Sequence, residues 1–245
     1  MTEQTSTRQQ RFTDRRVLVT GASGGVGKEL CALFRAEGAR VVGTDVTPGE
    51  GVVEGNLADP ASIAAVVDHA VTELGGLDVL CNVAGVQAHS RLEALTPEGL
   101  GLHLAVNTVG PILLTQACLP ALTESKGNVV TVASISALMG QPYNTAYCAS
   151  KGGVLMAMRA LAIELADKGI RVNCVSPGGI DTKMIEGAAN SLPSDASWDL
   201  VAKSQGVLPG FMPPGDVAEA IMFLASDAAS SITASNVVVD RGVIW

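Results

Sequence analysis

A chain of 245 residues, 47% hydrophobic and 16% charged, is long and apolar enough for one well-buried globular domain of the larger kind, which excludes extensive disorder. Its formal net charge is −8, and past the polar amino-terminal stretch no run of Lys or Arg gathers on one element, so neither nucleic acid nor an anionic membrane is an expected partner. The five cysteines, Cys31, Cys81, Cys118, Cys148 and Cys174, form no Cys-x-x-Cys pair and sit mostly among apolar residues. Small buried thiols in a reducing cytoplasm are expected, with no disulfide and no metal site.

Residues 1–14 are polar and lack an apolar run, which reads as a flexible tail rather than a secretory signal. The domain is then expected over 15–245. Arg16-Val-Leu-Val-Thr20 is a buried-strand pattern followed at once by Gly21-Ala-Ser23-Gly24-Gly25-Val26-Gly27 and a helical run with Leu30, Leu33 and Phe34 on one face. In a strand, glycine turn and helix, backbone N–H groups and the helix amino terminus receive a phosphate, and the glycines let a pyrophosphate approach the backbone. A second strand, Arg40 to Thr44, finishes on Asp45, whose carboxylate can accept hydrogen bonds from ribose hydroxyls and would repel a 2′-phosphate. This placement favours NAD over NADP.

Between Asp45 and Val52 there are too few residues for a crossover helix. Either the crossover is clipped to a loop or Val52 to Glu54 is not a parallel strand; the clipped loop is the favoured reading. Asn56 and Leu57 would then flank an adenine, and Asp59-Pro60 would open a helix carrying Ile63, Val66, Val67, Val71 and Leu74. Leu77 to Asn82 is the next strand, closing on Val83-Ala84-Gly85, where small residues admit a dinucleotide. The segment from Pro97 to Leu122 is mostly helical. Within it Asn107 is a buried amide that must be satisfied, and by itself it reads as a structural bridge between helix and strand.

Gly127 to Val132 is a strand that delivers Ser134 to the edge where open α/β sheets bind ligands. In the helix that follows, Tyr147 and Lys151 stand four apart on one face, ahead of Val154, Leu155, Met158, Leu161, Ala162 and Leu165. A phenol ionises near pH 10, and a cation close by in a poorly hydrated cleft is expected to bring it toward neutrality. The uncharged stretch 127–150 holds Pro142, Gln141, Asn144 and several serines and is not written as a membrane span. Ile170 to Val175 is a strand running into Pro177-Gly178, and Gly179-Ile180-Asp181-Thr182 returns to the ligand edge. Residues 183–214 have weak periodicity and several prolines, which suits a mobile lid. A helix, Val217 to Leu224, and a strand, Asn236 to Val239, close the chain. His69 and His103 read as surface or boundary residues, while His89 lies in a loop that could approach a substrate.

Taken together these residues resemble the short-chain dehydrogenase/reductase family in its one-domain form, from Arg16 to Gly242. Thr20-Gly21-x-x-x-Gly25-x-Gly27 is similar to its cofactor turn, Asn82-Val-Ala84-Gly85 to its Asn-x-Ala-Gly element, and Asn107 to the asparagine of its catalytic tetrad. Ser134 stands at the family's usual distance before Tyr147, and Tyr147-x-x-x-Lys151 fills its catalytic motif. Pro177-Gly178, Ile180 and Thr182 resemble the segment that holds the nicotinamide. Gly24, where many NADP-using relatives carry Arg or Lys, agrees with Asp45. Asn56 stands where Asp is usual, Val83 is a departure, and Ala234 and Arg241 replace glycines.

The resemblance implies a single doubly wound Rossmann domain: a mostly parallel seven-stranded sheet, helices on both faces and a short lid before the last helix. It implies an NAD-dependent oxidoreductase interconverting a secondary alcohol and a ketone. Tyr147 would be the general acid/base, Lys151 would lower its pKa and bind the nicotinamide ribose, and Ser134 would hold the substrate oxygen, with Ser136 a weaker candidate whose side chain points elsewhere. Asn107 would hold a water joining Lys151 to solvent. A homotetramer is expected, as is a neutral or mostly apolar substrate. The alternatives are an NADP-dependent carbonyl or ketoacyl reductase and a non-catalytic dinucleotide-binding sensor.

Overall fold

The computed structural model describes residues 10–204 and 206–244; the expected tail over 1–9 and the carboxyl-terminal Trp245 lie outside the described residues. The elements run β1 (Arg16–Thr20), α1 (Gly25–Ala36), β2 (Arg40–Asp45), β3 (Val52–Glu54), α2 (Pro60–Leu74), β4 (Val79–Asn82), α3 (Pro97–Leu104) and α4 (Gly110–Ser125). They continue with β5 (Asn128–Val132), α5 (Thr145–Glu164), β6 (Arg171–Pro177), α6 (Lys183–Asn190), α7 (Trp198–Val201), α8 (Pro214–Ala225) and β7 (Asn236–Val239). The seven strands form one sheet in the order β3-β2-β1-β4-β5-β6-β7, and every pairing is parallel. The clipped crossover is real: β3 pairs parallel to β2 with Asp45 beside Glu54.

Side chains on a strand alternate between faces, and here both faces are covered, so the strands are apolar nearly throughout. Leu18, Leu80 and Val129 point to a core shared with α2, α4 and α5. Val17, Val19, Val79, Cys81 and Val130 point the other way, onto α1 and α8. Helix α2 begins where expected because the Asp59 carboxylate accepts the Ala61 N–H at 3.0 Å ahead of Pro60. It stops at Gly75, whose φ of 75° gives a left-handed cap.

Residues 97–125 form one continuous helical run whose length and hydropathy would suffice to cross a membrane. Leu114, Cys118 and Leu122 on it are completely buried in the core beneath the sheet, while Leu102, Leu104 and Val109 remain exposed. The run widens into a π-turn over Ala105–Val109. Pro111 has no N–H to offer the Asn107 carbonyl at α-helical spacing, which gives the backbone a reason to change pitch there.

Two expectations are corrected. The tail does not reach Asp14: Phe12 is 1% exposed and meets the Phe34 ring edge-on at 4.8 Å, while Arg11 holds Glu37 through two contacts of 2.6 Å. His103 is also not a surface residue. It is buried, its Nδ1 lying 2.8 Å from the Gly99 carbonyl and its Nε2 accepting the Ala88 N–H at 3.1 Å.

Candidate active site

The carboxyl ends of the strands open into a cavity of about 1090 Å³ that runs from the glycine turn to the lid. Its first end is shaped by the turn after β1. Gly21 has φ +68°, and a Cβ there would lie 2.9 Å from the Ala84 backbone; a Cβ on Gly27 would lie 2.1 Å from the Gly21 carbonyl oxygen. Both positions therefore require glycine, and the space they leave exposes backbone to the cavity. Thr20 ties the turn to the next loop, its Oγ1 accepting the N–H groups of Val83 and Ala84 at 3.0 Å each.

Asp45 stands at the far side of this end. Its carboxylate accepts the Ser23 N–H at 3.2 Å and the Thr47 N–H at 3.0 Å. Two backbone donors thus hold a negative charge at the cavity wall. Gly21, Ser23, Gly25, Val26, Gly27, Asn56, Leu57, Ala84 and Gly85 all line the same space, as do Pro177, Gly178, Ile180 and Thr182 on the opposite lip. Together they form a trough with backbone donors along one side and an acceptor for hydroxyls at its end, which is the donor set a dinucleotide requires.

Asn82 does not belong to that wall. It is buried and donates to Thr131 Oγ1 at 3.1 Å, behind the lining residues, and its Oδ1 is a buried acceptor without a partner. Its position at the end of a strand was read correctly, but its side chain faces into the protein and braces β4 against β5.

Ser134, Tyr147 and Lys151 meet at the centre of the cavity. β5 delivers Ser134 at its carboxyl end, and the first turns of α5 present Tyr147 and Lys151 on one face. All three are buried. Lys151 Nζ donates to the Val132 carbonyl at 2.8 Å and lies 5.8 Å from the centre of the Tyr147 ring, and His103 packs edge-on against the other side of that ring at 6.4 Å. Burial pushes the Tyr147 phenol up to about 12, although hydrogen bonding with Ser134 pulls the other way. The same burial pushes the Lys151 ammonium down to about 8.

The expected acidification of Tyr147 by Lys151 is therefore absent from the protein on its own. Desolvation acts on both groups and disfavours the charged form of each, and for Tyr147 it outweighs any help the Lys151 ammonium gives a phenolate. The phenol is neutral at physiological pH in this state.

Asn107 lies behind Gly85, in the π-turn. Its Nδ2 donates to the Val86 carbonyl at 2.9 Å and to Ser150 Oγ at 3.0 Å, and its Oδ1 accepts the Val86 N–H at 2.8 Å. The amide is committed to bridging the π-turn to the loop after β4 and does not line the cavity. Gly85 lies between it and Lys151: a Cβ there would be 3.1 Å from Asn107 Oδ1 and 3.5 Å from Lys151 Nζ. The bridge reading holds for the side chain.

Ser136 does not point elsewhere. It is buried, lies 3.1 Å from Ser134 Oγ, and donates to Gln141 Oε1 at 2.5 Å. Gln141 lines the cavity and was missed as a site residue; its only sequence signal is a polar side chain in an uncharged stretch.

The lid expected over 183–214 contains α6 and α7 and is fastened to the opposite loops. His89 Nδ1 lies 2.8 Å from the Ala188 carbonyl and its N–H donates to Ser191 Oγ at 2.8 Å. Arg91 pairs with Asp195 at 2.8 Å, and Tyr143 Oη accepts the Ser197 N–H at 3.0 Å. Met184, Trp198 and Phe211 from this segment face the cavity. Among the described residues no three His, Cys, Asp or Glu side chains converge as a metal site, and none of the five cysteines is paired.

Comparison with known proteins agrees with this geometry. The family model described as enoyl-(acyl carrier protein) reductase matches residues 21–244. The 3-oxoacyl-(acyl-carrier-protein) reductase FabG of Thermotoga maritima is 35% identical over 93% of this chain and 96% of its own. A short-chain dehydrogenase from Mycobacterium paratuberculosis bound to NAD superposes with a TM-score of 0.87 at 26% identity, covering 95% of this chain and 98% of its own. One from Burkholderia cenocepacia in complex with NADP superposes at 0.84 with 28% identity, covering 95% and 99%. With its parallel seven-stranded sheet, glycine-lined trough and adjoining Ser134, Tyr147 and Lys151, the chain belongs to the short-chain dehydrogenase/reductase family of oxidoreductases.

Proposed function

We propose that this chain is an NAD-dependent oxidoreductase that interconverts a secondary alcohol and a ketone, with Tyr147 as the general acid/base. The observation that carries the proposal is the meeting of Ser134, Tyr147 and Lys151 in the cavity whose other end is the Gly21–Gly27 turn and Asp45. Relatives support the class of chemistry, and two of the superposed structures hold different nicotinamide dinucleotides, so the preference for NAD rests on Asp45 and the absence of a basic residue at Gly24.

The turn over 21–27, Asp45, Asn56, Leu57, Ala84, Gly85 and the lip from Pro177 to Thr182 would hold the dinucleotide. When bound it supplies a two-electron acceptor or donor and, in the oxidised form, a positive charge. In ketone reduction the neutral Tyr147 phenol is ready to give its proton to the substrate oxygen. In alcohol oxidation Tyr147 must first lose a proton, so that direction gains from rising pH. Ser134 would hydrogen-bond the oxygen on which charge develops. Its proton is directed at Ser136 in the structure, so this requires rotation of the hydroxyl. Lys151, freed to point along the cavity from its bond to Val132, would offer charge near Tyr147.

The apolar lining from Leu102, Met184, Trp198 and Phe211 supports a substrate with a mostly apolar body. A ketoacyl reductase reading is favoured by the Thermotoga relative and by a superposed ketoacyl reductase structure from Brucella melitensis. Met156 and Ile163 on α5 are 61% and 76% exposed, which supports burial of that face in a homo-oligomer, a tetramer in this proposal. The free thiols and the lack of disulfides support a cytoplasmic setting. The testing experiment supplies NAD and a panel of secondary alcohols and follows absorbance of the reduced cofactor. Turnover that rises with pH is expected; tight NAD binding with no turnover of any alcohol would return the protein to the class of dinucleotide sensors.

A further inference from the structure

Beside Ser134 the cavity wall carries a polar group with no role in the proton transfer described above. Gln141 Oε1 accepts two hydrogen bonds, from Ser136 Oγ at 2.5 Å and from Asn144 Nδ2 at 3.1 Å. A glutamine amide has an acceptor oxygen and two N–H donors. With the oxygen engaged twice by the protein, the amide is held with its nitrogen turned away from those partners.

Among the described residues that nitrogen makes no hydrogen bond. Nor is it one of the buried polar atoms sealed off without a partner. Gln141 lines the cavity together with Ser134, Ser136 and Tyr147, so its amide stands at the wall of the space that a substrate would enter.

Proton counting fixes the direction of the chain. Ser136 has a single hydroxyl proton and gives it to Gln141, so the 3.1 Å contact between Ser134 and Ser136 is a donation from Ser134. Gln141 is thus anchored two hydrogen bonds from Ser134, on short and mostly buried links. Two hydrogen-bond lengths bound the separation of Gln141 Oε1 from Ser134 Oγ, which keeps the amide near the reacting carbon and within reach of a second oxygen close to it.

We propose that Gln141 is a specificity-determining residue that binds a second, uncharged oxygen of the substrate one or two carbons from the reacting carbon. The preferred class is then vicinal or 1,3-related diols and their hydroxyketones on an apolar body, ahead of lone secondary alcohols. The proposal deepens the alcohol/ketone assignment and rests on it for turnover. The amide donates without a full charge, which suits a hydroxyl or carbonyl acceptor, and the surrounding Leu102, Met184, Trp198 and Phe211 suit the rest of such a molecule.

The experiment compares cyclohexane-1,2-diol with cyclohexanol in the wild-type protein, Gln141→Glu and Gln141→Met. Gln141→Glu keeps an acceptor for Ser136 and Asn144 while removing the N–H donors; Gln141→Met removes both at similar volume. A neutral hydrogen bond contributes about 1 kcal/mol, so the diol-over-cyclohexanol ratio of kcat/KM should fall at least about fivefold in both variants. Calorimetric titration of each compound into the protein with NADH gives a readout independent of turnover, and the wild type should bind the diol more tightly than cyclohexanol while Gln141→Glu does not. Equal losses for the two compounds in both variants would reduce Gln141 to a tether of Ser136 and overturn the proposal, as would equal wild-type affinities. Selective diol binding without turnover would uphold Gln141 and defeat the catalytic assignment; turnover without selectivity would do the reverse.

Discussion

Lys151 and Tyr147 lie with the amine 5.8 Å from the centre of the phenol ring, both buried, and each has its charged form disfavoured by its own burial. An isolated pair of this kind is not an activated base. It is a neutral acid held beside an amine that ionises near the upper end of the physiological range, and it needs added positive charge in the cavity before the phenolate becomes accessible.

That arrangement has a consequence for stability. The folded-state pKa of Lys151 is about 8, below its ordinary value of about 10.5, so between those values the unfolded chain binds more protons and stability rises with pH. Below pH 8 the folded protein carries the full cost of a buried ammonium. Lys151→Met should abolish this increment: urea unfolding of the two proteins should show the wild type gaining on the variant by about 2 kcal/mol or more between pH 8 and 10. A difference that is flat with pH would contradict the burial argument.

Asp45 makes a prediction about cofactor choice. Its carboxylate is fixed by two backbone N–H groups where a ribose hydroxyl is expected, and a 2′-phosphate there would meet like charge. The wild-type protein should prefer NAD in kcat/KM, and Asp45→Ala should move the NADP/NAD ratio toward NADP by at least about tenfold, equivalent to about 1.4 kcal/mol. Equal efficiency of the two cofactors in the wild type would remove the role assigned to Asp45.

Two departures from the family pattern carry measurable strain. Ala234 and Arg241 stand where glycine is usual, and both have φ of +57°. A left-handed conformation costs a residue with a Cβ about 1 to 2 kcal/mol, against the smaller entropy penalty that glycine adds through the unfolded chain. Arg241 offsets part of its cost by donating to the Pro209 carbonyl, whereas Ala234 has only its methyl group to lose. Ala234→Gly should raise stability by about 0.5 to 1 kcal/mol, read as a rise in Tm; a fall would show that the Ala234 methyl packing outweighs the strain.

The strands, the clipped crossover before β3 and the start of α2 at Asp59-Pro60 were legible because each rests on local pattern: apolar runs, too few residues for a helix, and a capping carboxylate before proline. Ser134, Tyr147 and Lys151 were legible because strand ends and helix spacing place them without knowledge of the rest. Phe12 was not, since one aromatic in a polar stretch declares nothing until Phe34 is beside it. His103 was misjudged for a similar reason: its partner, the backbone of Ala88, lies in a loop without periodicity. The ionisation of Lys151 depends on how completely the cavity floor is buried, which no motif states, and Gln141 is defined by a hydrogen-bond chain that only coordinates reveal.

The most direct test of the account is Tyr147→Phe. The ring and its packing against His103 are kept while the transferable proton is lost, so NAD should bind with affinity close to wild type and secondary-alcohol oxidation should fall by at least about a hundredfold, within the range a general acid/base supplies. Turnover near the wild-type rate in that variant would contradict the central claim.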